Sequence, residues 1–99
     1  MVMVCDVSFL AKKKYCEMVR PGWLSIMYKV QSHEALSKIE SEQYEQLKRE
    51  MLNTVNLKAK LVCGLTKNNK KTAHYAYLGC LFIVKFSEGK GKIITIQRE

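Results

Sequence analysis

At Leu57 the apolar rhythm of the chain changes from helical to alternating, and this change constrains the fold more than any other feature. Downstream, Leu57, Ala59, Leu61 and Cys63 alternate against Lys58, Lys60 and Val62, which predicts a strand over 57–65 with a basic outer face. The polar run TKNNKK at 66–71 predicts a hairpin turn. Residues 72–86 (TAHYAYLGCLFIVKF) read as one long strand bent at Gly79, in preference to two strands joined there. A glycine turn over 88–91 leads to a closing strand at 92–97 (KIITIQ).

Upstream of Leu57 the spacing is helical. Residues 8–19 place Phe9, Ala11, Tyr15, Cys16, Met18 and Val19 at helix-compatible intervals, with Asp6 or Ser8 as the cap. Arg20-Pro21-Gly22 ends that helix, because proline lacks a donor and restricts the residue before it. The segment 23–30 (WLSIMYKV) is aromatic and branched, which predicts a strand. Ser32 then reads as the N-cap of a long helix whose Leu36, Ile39, Leu47, Met51 and Leu52 share one apolar face, with Tyr44 at its margin. The expected fold is α+β, with one long amphipathic helix and a short N-terminal helix packed on an antiparallel sheet of about four strands. Neither repeat nor linker interrupts the 99 residues, of which 47% are apolar and one is proline, so a single domain over 1–99 is expected.

The longest apolar stretch, Tyr75 to Val84, falls far short of the roughly 20 residues that cross a bilayer. The lysines near the start follow its apolar residues and no small-residue cleavage site is present, so a cytoplasmic protein without a membrane partner is expected. The formal charge is +8 and is unevenly placed: residues 57–99 hold nine basic and two acidic groups, against three and five in 32–56. A positive field of this size draws polyanions, and Lys58, Lys60, Lys67, Lys70, Lys71, Lys90 and Lys92 are the candidate contacts to RNA or DNA.

Cys5, Cys16, Cys63 and Cys80 form no CxxC, and His33 and His74 do not complete a metal set at ligand spacing, so neither metal nor cofactor is expected. Metal-free RNA cleavage needs a base for the 2′-hydroxyl, an acid for the leaving oxygen and a cation beside the phosphorane. His33 or His74 fits the acid or base, and Lys60, Thr95 and Arg98 fit the surroundings of the phosphate. No Ser-His-Asp series, P-loop or Rossmann glycine set is present.

His33-Glu34 ahead of the long helix, followed by the strand-rich basic tail YLGCLFIVKFSEGKGKIITIQRE, resembles the RelE-like and barnase/colicin-type small ribonuclease toxins, in particular the BrnT-type branch. The resemblance spans roughly residues 28–98 and rests on pattern. It implies that His33 corresponds to the helix-start histidine, Thr95 to a polar residue of the last strand and Arg98 to the terminal basic residue. The arginine expected early in the strand block is absent, with Lys58 or Lys60 in its place. The implied function is that of a small nucleic-acid-interacting protein and toxin-like, metal-independent endoribonuclease. The alternative is a non-catalytic phage or plasmid protein that docks on a host protein or nucleic acid.

Trp23, Tyr28, Tyr44 and Tyr77 are more large aromatics than so small a core readily encloses, which predicts a partner protein or a second copy on an aromatic surface. The last strand is also a candidate sheet edge, partly blunted by Lys90 and Lys92.

Overall fold

The computed structural model describes the backbone of residues 3–67 and 70–99 and the side chains of 4–62 and 71–99. Strand β1 (Met3–Val7) leads into helix α1 (Phe9–Met18), whose Ser8 cap accepts a hydrogen bond from the Ala11 N–H at 3.1 Å. A 3-10 turn (Pro21–Trp23) runs directly into α2 (Leu24–Gln31). The strand expected over 23–30 is therefore a helix. Proline stands in the first turn, where its missing donor costs nothing, and Ile26 and Met27 are buried by helical spacing despite the strand preference of their neighbours.

Helix α3 (Lys38–Asn53) starts later than Ser32, because Ser37-Lys38-Ile39-Glu40 forms a capping box. The Glu40 N–H donates to Ser37 Oγ at 3.1 Å, and the Ser37 N–H donates to Glu40 Oε1 at 3.0 Å. Ser32 instead closes α2. The later start also turns Ile39 to solvent, at 67% exposure, while Leu47 and Met51 are buried as expected. At its far end α3 widens into a π turn (Thr54–Lys58), so Leu57 and Lys58 belong to the helix rather than to a strand.

The strands that follow are β2 (Lys60–Lys67), β3 (Lys70–Tyr77), β4 (Cys80–Ser87) and β5 (Lys90–Arg98). The turn expected over 66–71 centres on 68–69, which lie outside the described residues. The long strand expected over 72–86 is two strands. Leu78 and Gly79 both take positive φ (48° and 79°), as do Glu88 and Gly89 (53° and 80°), so each pair forms a two-residue hairpin turn matched to the twist of its strands. Gly91 lies beneath the Phe86 ring, where an added Cβ would come within 2.7 Å of Cε1.

Among the described residues the sheet has five strands in the order β1-β5-β4-β3-β2, with β2 to β5 antiparallel and β1 parallel to β5. The fold is thus α+β with three helices on a mixed sheet, one strand more than the alternation predicts. Strand β5 lies inside the sheet, which corrects its expected place at an edge. The edges are β1 and β2. Strand β1 escapes a period-two reading because a bulge between Val4 and Asp6 lets both Val4 and Val7 point inward. Ala11, Tyr15, Cys16, Met27, Leu47 and Met51 from the helices close over Val4, Val7, Phe82, Val84, Ile93 and Ile96 from the sheet. All three helices pack on this one face. No helix among the described residues is long and apolar enough to cross a membrane.

Candidate nucleic-acid interface

In an antiparallel pair, residues in register share a face, so the buried Phe82, Val84, Ile93 and Ile96 define the helix side of the sheet. Tyr75, Tyr77 and Phe86 share it and pack on the core. The alternate residues form rows on the other face: Ala76, Leu81 and Gln97; His74, Ile83 and Thr95; Thr72, Lys85 and Lys92. Lys60 extends the first row from β2, and Asp6 extends the third from β1. Lys90 lies opposite Ser87 one row further along. None of these residues is buried.

Lys85 and Lys92 stand directly opposite each other on β4 and β5. Like charges in that position repel. Lys92 has Asp6 at 4.0 Å, but Asp6 is shared with Lys48 at 3.5 Å, and Lys85 has no acidic partner among the described residues. The Val7 N–H, donating to Asp6 at 2.8 Å, and then the two lysines hold the Asp6 carboxyl below its usual range. Asp6 is the acidic side chain of these rows, so the uncovered face carries a cationic excess at fixed spacing. Among its described residues no phenyl, phenol or indole ring stands on this face, because the large rings of β3 and β4 face the helices, and His74 supplies an imidazole.

Of the residues singled out by sequence, His74 and Thr95 lie in one row on either side of Ile83, about 10 Å apart by strand spacing. Lys60, Lys90 and Lys92 share their face. His33 lies apart, exposed in the link between α2 and α3 with φ 57°, ahead of the helix that begins at Lys38. It is therefore not a helix-start histidine. Arg98 is in register with Cys80 on the helix side. The four residues expected to carry catalysis do not converge.

The seven lysines also divide: Lys71 pairs with Phe86 on the helix side, and Lys58 lines a cleft at the end of the sheet. Lys67 and Lys70 pair in backbone register, and their side chains lie outside those described. Sequence reading missed Lys85, because the continuous apolar run from Tyr75 to Val84 that precedes it carries no alternation to assign it a face.

The aromatics do not gather on one surface. Trp23, Tyr44 and Tyr77 pack against the core, and Tyr28 is half exposed beneath Lys13, whose Nζ is 5.3 Å from its ring centre. Lys12 lies 4.5 Å above Tyr44, and Arg20 lies 5.0 Å from Trp23. Comparison with protein-family models, curated proteins and solved structures finds no match for the chain.

Proposed function

We propose that the protein binds nucleic acid along its sugar-phosphate backbone, using the uncovered sheet face. The observation that carries this reading is the Lys85–Lys92 pair, two opposed cations left without a full complement of acids on a face that none of the described helices covers. A phosphate between them relieves their repulsion, and Lys60, Lys90, His74 and Thr95 offer further donors in neighbouring rows. With no phenyl, phenol or indole ring among the described residues of this face, recognition rests mainly on charge and is tolerant of sequence.

Fluorescence anisotropy with a labelled single-stranded RNA tests the reading. Three or four phosphate contacts predict a roughly 20- to 50-fold loss of affinity between 50 and 200 mM salt. Lys85→Glu with Lys92→Glu abolishes binding on this reading, and unchanged binding by that double variant rejects it.

A second reading, RNA cleavage as the toxin-like resemblance implies, draws support from His74 and Thr95 sharing a row beside the lysines. Of the two histidines considered for acid and base, His74 lies on that face and His33 lies elsewhere. Binding without cleavage is therefore the expectation. Cleavage of total RNA in the presence of a chelator, lost in His74→Ala, would establish the enzymatic reading instead.

A further inference from the structure

The cleft that Lys58 lines on the helix side is a recess between the last turns of α1 and α3 and the β3–β4 hairpin. Its volume is about 730 Å³, within the range of small-molecule sites. The floor is apolar: Phe82 and Cys80 are buried, and Met18 and Tyr77 flank them.

The ionisable groups around the recess divide into two kinds. Glu50 is already satisfied, since Arg20 grips it through Nε at 3.3 Å and Nη2 at 2.5 Å. Those hydrogen bonds, with Tyr15 and the charge of Lys58, hold the Glu50 carboxyl below its usual range. Burial, and then the neighbouring Glu50, hold the Tyr15 phenol above its ordinary value, so it stays neutral. Burial likewise raises the Cys80 thiol, with Arg98 opposing. Arg98 and Lys58 line the same recess and form no salt bridge among the described residues. Glu99 at the mouth is the remaining acid.

From this geometry we infer a binding site for a small amphipathic anion, its apolar body on the Phe82–Cys80 floor and its anionic group between Arg98 and Lys58. The site is independent of the nucleic-acid face, because the sheet separates the two. Glu50 is held by Arg20, and the phenol and thiol are uncharged, which leaves Glu99 at the mouth as the competing acid, and a partly dehydrated recess strengthens the attraction of the two cations for one anion.

Anilinonaphthalene sulfonate, an aromatic monoanion that fluoresces when removed from water, is the direct probe. Titration of the intact protein should show one saturable site, with amide shifts concentrated at Gly79, Cys80 and Thr54. Arg98→Ala and Lys58→Ala should each weaken binding about fivefold, the upper end for pairs made by exposed cations. Glu99→Gln should strengthen binding, and Val19→Trp, at an exposed position lining the recess, should abolish it by filling the space. Lys38→Ala, in the first turn of α3, should leave binding unchanged. Decanoate should displace the probe competitively. Circular dichroism melts confirm that each variant is folded. Equal binding by Arg98→Ala, Lys58→Ala and wild type, or shifts confined to the open sheet face, would overturn the assignment.

Discussion

Glu50 shows how one side chain joins distant parts of this chain. Its carboxylate meets Arg20 from the segment after α1 and lies beside the buried Tyr15, so its folded pKa is lower than that of the unfolded chain. A depressed carboxyl stabilises the fold fully above its unfolded value near 4.5 and loses that contribution as pH falls through the lower folded value. Thermal melts from pH 7 to 3 should show stability declining below about pH 5. Glu50→Gln should be less stable at neutral pH, with a shallower acid decline. An unchanged acid slope would show that the Arg20 pairing contributes nothing. Leu78 is a second local case. It holds φ at 48° while 84% exposed, so its side chain returns almost no packing for an unfavourable backbone. Leu78→Asn should raise stability by about 0.5–1 kcal/mol in urea denaturation, since asparagine tolerates this turn position.

Among the elements, the two sheet edges are finished differently. On β1 the Asn56 side chain acts as a missing strand: its Oδ1 accepts from the Val4 N–H at 3.0 Å, and its Nδ2 donates to the Val4 carbonyl at 2.8 Å. The π turn brings Asn56 there, because the wider turn ends in a hydrogen bond from the Ala59 N–H to the Thr54 carbonyl. Asn56→Ala should cost about 1–2 kcal/mol and speed exchange of the Val4 amide. Unaltered Val4 exchange would show that β1 needs no cap. Strand β2 has exposed Leu61 and Val62 and the exposed Lys60, and charge is a common protection for such an edge. In α3, Leu47 is 1% exposed in the core, and Leu47→Asp buries a carboxylate at a cost of several kcal/mol against a total margin of about 5–15. Loss of the cooperative melt is the expected result.

For the molecule as a whole, the helices cover one side of the sheet and the repelling lysines occupy the other. Stability and binding should therefore respond in opposite directions to the same change. Lys85→Glu creates an opposite-charge pair with Lys92 and should stabilise the sheet by about 0.5 kcal/mol while weakening RNA affinity. Rising salt should likewise relieve the repulsion and weaken binding. A variant that lost both stability and affinity would show that Lys85 serves packing rather than contact with phosphate.

The α+β class, helix α1, and the buried Leu47 and Met51 were legible because spacing is a local property of the chain, while the structure chose Ser8 over Asp6 as the cap of α1. The capping box at Ser37–Glu40 is also local, and it outcompetes Ser32 as the start of the long helix. The helical fate of 23–30 was different in kind, since strand preference there yielded to the burial of Ile26 and Met27, which depends on what packs against them. Strand β1 could be placed only by its parallel pairing with β5, some 86 residues away, and its bulge erased the alternation that would have marked it. The composition of the chain determined that it would be basic. Only the tertiary structure decided that His74 and Thr95 share a row while His33 and Arg98 lie elsewhere, because the face a residue occupies depends on register, bulges and turns set by long-range pairing.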